Sequence, residues 1–260
     1  MALASTDLVP YASANIPVAD TGTSGGAIDP TIRVIFASTA AINSALEIIS
    51  SSASDTQNVT VVGRDAGGSD VTETKALNGV TAVQLSTLGS IERLLSVVLA
   101  SAAAGTVTLR KTGAGTTIVT IPVGEKGAVR LFRFATIPTG GSMIRYEKFF
   151  QKNVHGSLHL QDAQLIEVAG GQATKVQYAL EDAVNDNVSV AARTTAPGAA
   201  DIGASGFVDT TALVMATETD AGTKDLEDGV AIGVWVKLTL ASTDTPFSDT
   251  WTCQISGTST

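Results

Sequence analysis

Two histidines, His155 and His159, a single cysteine, Cys253, and two glycine-rich turns carry the clearest chemical potential in this 260-residue chain. His155 and His159 lie four apart in a segment that reads as a turn leading into a strand. On a strand such positions share a face but stand about 13 Å apart, too far to hold one ion, and no third ligand stands out. A nucleophilic Cys253 needs a histidine beside it in space. Its place in a C-terminal strand points instead to a small buried hydrophobe. The runs Gly63-Arg-Asp-Ala-Gly-Gly68 and Gly113-Ala-Gly-Thr-Thr117 lack the Gly-Lys-Ser/Thr ending of a phosphate loop, and neither opens a helix. They read as hairpin turns. The acids within 181–187 and 218–228 do not follow EF-hand spacing, which leaves solvated loops as the expected reading. No carboxylate pair for glycoside hydrolysis can be picked out. No enzyme, cofactor or metal site is expected.

One basic concentration remains. Lys126, Arg130, Arg133, Arg145, Lys148 and Lys152 alternate with Phe132, Phe134, Tyr146, Phe149 and Phe150 on expected strands. Such a stripe can stack on single-stranded nucleic acid, or pair with an acidic partner surface. With only six charges the protein partner is preferred, and Arg130, Arg133, Arg145, Tyr146, Lys148, Phe149 and Lys152 are the expected docking residues. A plainer alternative stays open, with aromatics in a core and bases in solvent.

The elements that must position these residues are β. Thr31–Phe36 reads as a short strand, Asn58–Gly63 and Asp70–Leu77 as a hairpin, and Asn78-Gly79 as a tight turn. Gly105–Arg110 and Thr116–Ile121 flank a second hairpin turn, and Arg130–Phe134 reads as a further strand. Gly89–Ala100 has helical spacing at Ile91, Leu94, Leu95 and Val98, with Ser90 as a candidate cap. Its Val97-Val-Leu99 run favours a strand after a short helical turn. Beyond Ile137–Gly141, the expected junction, strands follow at Met143–Phe150, Ser157–Val168, Lys175–Leu180, Val188–Arg193, Val230–Leu240 and Thr250–Ile255. Trp235 and Trp251 fall in the last two as core fillers. The fold class is therefore all-β: two β-sandwich domains, jelly-roll or Ig-like, over 31–140 and 141–260. Residues 1–30 hold Pro10, Pro17, Pro30 and Gly25-Gly26 without sustained periodicity, and read as an extended arm.

Composition narrows the function. Sixteen basic against 25 acidic residues give a net charge of -9, which excludes nucleic-acid binding driven by whole-chain charge. One cysteine forbids an intrachain disulfide. No basic segment followed by an apolar run marks a secretory signal, and no stretch of 18 apolar residues marks a membrane span. Charged residues make up 16% of the chain, where a free monomer normally keeps about a quarter. A surface of Ala, Thr, Ser and Gly suits a protein packed against copies or partners. The charge is also split. Residues 1–152 carry 12 basic and 11 acidic side chains, net +1, and residues 153–260 carry 4 and 14, net -10. That polarity fits one end that docks and one that faces solvent.

The block Tyr146-Glu-Lys-Phe-Phe-Gln-Lys-Asn153, followed by His155-Gly-Ser-Leu-His-Leu-Gln-Asp-Ala163, resembles structural proteins of tailed bacteriophages. Asp20-Thr-Gly-Thr-Ser-Gly-Gly-Ala-Ile28 is similar to their N-terminal arm, and Gly229–Leu240 to their Trp-bearing strand. Segments of 55–100 also look like pieces of phage virion proteins. In the usual short members the arm runs almost directly into the Lys-Asn block, so the stretch between looks like an inserted β domain. The resemblance implies a virion component, a capsid decoration (cement) protein, on the capsid exterior and made in the host cytoplasm. Its implied partners are the major capsid protein and copies of itself, with a trimer expected; no small-molecule substrate, membrane or nucleic acid is expected. Deleting residues 2–28 is expected to leave a folded chain that no longer binds shells. The competing readings are a tail, collar or baseplate protein, and a host-glycan adhesin module that would use the 217–229 loop.

Overall fold

The computed structural model describes residues 2–36, 41–89, 91–170, 175–203, 205–208, 213–214, 226–244 and 251–259. Strands make up 53% of the described residues, among which no α-helix occurs, so the fold is all-β with several sheets. The strands begin with β1 (Leu8–Asn15), β2 (Ser24–Val34), β3 (Leu46–Ser50), β4 (Asn58–Asp65), β5 (Asp70–Ala76) and β6 (Val83–Leu85). There follow β7 (Ile91–Leu99), β8 (Val107–Lys111), β9 (Thr117–Ile121), β10 (Gly127–Val129) and β11 (Ser142–Asn153). The last are β12 (Leu160–Gly170), β13 (Val176–Val184), β14 (Ser189–Val190), β15 (Leu213–Val214), β16 (Ala231–Ala241) and β17 (Trp251–Ser259). The chain divides into two compact units, Pro30–Arg130 and Met1–Asp29 with Leu131–Thr260.

The Pro30–Arg130 unit is a β-sandwich. On one side β4 lies between β5 and β7, and β7 pairs with β10, which runs parallel to Ile32–Val34 of β2. On the other the order is β6-β3-β8-β9. Alternation turns Val59 and Val61 of β4 and Val97 and Leu99 of β7 inward, against Leu46 and Ile48 of β3 and Val107 and Leu109 of β8. All eight are essentially inaccessible to water. Both expected hairpins form. Gly68 (φ +83°) and Gly113 (φ +74°) occupy the left-handed backbone their turns require. The 91–99 segment is a strand, because Leu94, Leu95 and Val97 are all buried, as in a strand covered on both faces.

In the other unit the order is β13-β16-β11-β1. β11 pairs with β16 over eleven consecutive positions, from Ser142↔Ala241 to Lys152↔Ala231. β12, β15 and β17 form a second, three-stranded sheet. The arm expected over 1–30 is here a pair of strands. β1 lies antiparallel on β11, with Tyr11 opposite Phe150 and Leu8 opposite Asn153, and buries Val9, Tyr11 and Ala12. The expectation that residues 2–28 can be deleted without loss of folding is therefore corrected, because the deletion removes a paired inner strand. The expected strand Arg130–Phe134 is also corrected: residues 131–134 form a turn in which Phe132 has φ +53°.

Candidate functional site

The seven expected docking residues do not form a surface. Arg145, Tyr146, Lys148 and Phe149 sit on β11 between β1 and β16, at 1%, 8%, 0% and 1% exposure. A side chain so enclosed presents nothing to a partner. Arg133 lies in the 131–134 turn, its guanidinium 5.0 Å from the Phe134 ring centre, and Lys152 is half-buried near the end of β11. Arg130 belongs to the other unit, where its Nε donates to the Leu94 carbonyl at 2.6 Å. The reason is the strand period. Arg145, Glu147 and Phe149 project to one face of β11, Tyr146, Lys148 and Phe150 to the other, and both faces are covered.

Each face carries its own charged cluster. On the first, Arg145 donates to Asp20 through Nε at 2.7 Å and Nη2 at 2.9 Å, a two-pronged pair. Arg193 also donates to Asp20, and its Nη1 reaches Glu147 at 3.2 Å. The second Glu147 oxygen accepts the Phe132 backbone N–H at 2.7 Å. The Arg145 hydrogen bond, joined by Arg193 and opposed by partial burial, holds the Asp20 carboxyl down at about 2. Glu147 goes the other way. Complete burial outweighs the Phe132 N–H and Arg193 and raises it to about 7.

On the second face Lys148 Nζ meets Glu181 at 2.6 Å and the Val188 carbonyl at 2.8 Å, with both charged side chains at zero exposure. The ammonium lies 4.7 Å from the Phe150 ring centre and 5.4 Å from that of Trp235. Burial lowers the Lys148 ammonium and raises the Glu181 carboxyl to about 7, against their mutual attraction. Gly233 is what admits the carboxylate, since a Cβ there would overlap the Glu181 side chain. An acid titrating near 7 suits proton transfer, but neither carboxylate meets solvent in this arrangement. Chemically, the two clusters act as latches that tie β11, β13 and the segments around Asp20 and Arg193 together.

Asp20, Glu147, Glu181 and Arg193 were not singled out as partners of the basic stripe. Glu147 was legible, lying between Arg145 and Lys148 in one strand; Asp20 and Glu181 are distant in sequence and carry no local signal. His155 sits in the turn before β12, where its Nδ1 accepts the Leu158 backbone N–H at 3.2 Å. Cys253 is on β17, opposite Glu167. Residues 217–225 of the acidic loop lie outside the described residues, as does Ser90.

The geometry also brings separated segments together. Asp20 joins Arg145, Gly25 lies directly against the Trp235 ring, and β11 pairs along its length with β16. Segments 20–28, 146–153 and 229–240 thus converge on one site.

No protein-family model matches the chain, and no curated protein does. Among solved structures, the infectious bursal disease virus VP2 subviral particle aligns over 97% of this chain and 71% of that one, at 11% identity and a TM-score of 0.17. So low a score carries no argument about fold or role.

Proposed function

We propose that this chain is a structural protein of a tailed-phage virion, a capsid decoration protein that stabilises the shell through protein–protein contacts. The observation that carries the reading is the convergence just described. The three segments that resemble the phage proteins, 20–28, 146–153 and 229–240, are far apart in sequence yet meet in one packed site. The inward placement of charge supports the same reading. Among the described residues, nine buried side chains, from Glu47 to Arg193, are charged, in a chain of which charged residues make up only 16%. What is left outside is poor in charge and rich in small polar groups, a surface that loses little hydration on packing. Repeated over a shell, modest contacts of this kind sum to large avidity. The partners are the major capsid protein and further copies of the chain, as a trimer on the capsid exterior, and an Ig-like sandwich is the module.

Quantitative mass spectrometry of purified virions tests this. A copy number comparable with the major capsid protein supports the shell. A copy number many times lower moves the chain to the tail, collar or baseplate, and absence from virions overturns the reading.

A further inference from the structure

At one end of the Pro30–Arg130 sandwich four loops cross from one sheet to the other: 51–57, 77–82, 100–106 and 122–126. Hydrogen bonds tie them in series. Gly79 N–H donates to the Asp55 carbonyl at 2.9 Å, the Asp55 carboxylate takes the Ala104 and Gly105 N–H groups, and Gly124 N–H donates to the Ala103 carbonyl at 2.8 Å. The loops therefore form a row in the order 77–82, 51–57, 100–106, 122–126. Each outer loop turns a valine to solvent, Val80 at 58% and Val123 at 62% exposure. Among the described residues of this unit, Phe36 is the one further large apolar side chain that is exposed.

Charge is kept away from this end. The four loops hold three charged residues: Asp55 and Glu125 are buried, Glu125 against Arg33 of β2, and Lys126 is exposed. Arg64, Asp65, Asp70, Arg93, Arg110 and Lys111 all lie toward the opposite end. Lys126 aside, the exposed residues of the row are Ala, Ser, Thr, Asn, Gly and Val. Such short side chains lose little rotamer freedom when covered, and the ties between loops fix the backbone beforehand. Two copies with a net charge of -9 repel at a distance, so they meet best through a face that adds almost no charge of its own. The row also matches itself. A twofold axis across its middle sets Val80 of each copy against Val123 of the other. We infer that this four-loop end is a self-association face, which takes the same end of a second copy. Fourteen of its residues are exposed and five partly so, against about 20–30 a side in a standard interface, so the pair is reversible. Nothing in this depends on the virion reading, which falls on copy number where this falls on association state.

Sedimentation velocity of the purified full chain over a concentration series tests it. The wild type is expected to dimerise as concentration rises. Added salt should preserve or strengthen the dimer, since it screens the repulsion and breaks no charge pair. V80E/V123E and V80K/V123K are each expected to weaken the dimer at least about tenfold, and a mixture of the two to recover it through opposite charges at the facing positions. V18E/V154E adds two carboxylates at exposed valines of the other unit and should leave dimerisation unchanged. Far-UV circular dichroism checks that each variant is folded. Should a double variant at 80 and 123 fail to fold, V123E alone, at the more exposed position, carries the test. A wild type that stays monomeric at every concentration and salt overturns the inference, as does a dimer that salt dissolves. So does a dimer that survives the variants at 80 and 123, or one that V18E/V154E weakens equally. Folded double variants whose mixture stays monomeric overturn the twofold pairing.

Discussion

The two units both bury carboxylates, but to different ends. In Pro30–Arg130 two of the buried acids, Asp55 and Glu73, clip loops, while Glu47 and Glu125 pair with Arg110 and Arg33 at the edge of the sandwich. Asp55 accepts Ser50 Oγ at 2.5 Å and the Ala104 and Gly105 backbone N–H groups at 2.8 and 2.9 Å, and Glu73 takes three successive N–H groups from Ser86 to Leu88. The core beneath stays apolar. In the other unit Glu147 and Glu181 sit inside the strand layer and answer cations from other segments. A clip is satisfied by main-chain dipoles that every residue supplies, so it constrains loop shape and little else. An ion pair within the core is satisfied by one particular side chain, so it also fixes which strands lie together. That difference explains why the β11 stripe looked like a docking surface: its charges have addresses, and the addresses are internal.

The comparison can be broken at its strongest point first. Lys148→Met leaves Glu181 buried without its cation and is expected to cost about 3–5 kcal/mol, most of it recovered by adding Glu181→Leu. Trp and Tyr occur only in the unit that contains β11, so intrinsic fluorescence during urea unfolding reads this loss directly. Asp55→Ala strands the buried Gly105 N–H and frees that of exposed Ala104, and is expected to cost about 1–3 kcal/mol, shifting the circular-dichroism transition without moving the fluorescence one. pH separates the units by sign. Glu147 stands at about 7 when folded against an ordinary 4.5, so the folded chain binds more protons than the unfolded chain between those values. Stability of the fluorescent unit should therefore rise by about 1–3 kcal/mol as pH falls from 8 to 5. Glu147→Gln should reduce that rise to the part supplied by Glu181, also raised to about 7, and an unchanged slope would mean that Glu147 is not a source of it. Asp55 is displaced downward, its burial outweighed by Ser50 and the two N–H groups, so its contribution is kept above the ordinary carboxylate range and lost in stronger acid. The smallest effect is expected at the surface. Arg64→Ala breaks a pair whose partners are 31% and 35% exposed, and should change stability by less than about 1 kcal/mol.

The strand content and the two hairpins were legible because Gly-rich turns between alternating Val and Thr have few other uses. Trp235 was legible as a core residue for its size alone. β1 was not, since its buried apolar residues are only Val9, Tyr11 and Ala12 and it carries Pro10; it is held between β2 and β11, and the second of these lies far along the chain. The candidate site failed for a related reason. Alternating bases and aromatics describe a half-solvated strand as well as one covered on both faces. Only Asp20, Glu181 and Arg193, set by tertiary structure, decide between them.

The pairing of β1 with β11 also sets an order of events during synthesis. Tyr11 leaves the ribosome well before Phe150, the residue it will face, and at ordinary elongation rates the gap is on the order of ten seconds. Every strand of the Pro30–Arg130 sandwich emerges within that interval. The nascent chain therefore carries a first strand that has β2 on one edge and an open edge where β11 will pair, past a sandwich that already has all its parts. Pro10, which helped hide β1 from the sequence, is also what lets that strand wait in water without finding the wrong partner, because it interrupts an exposed edge.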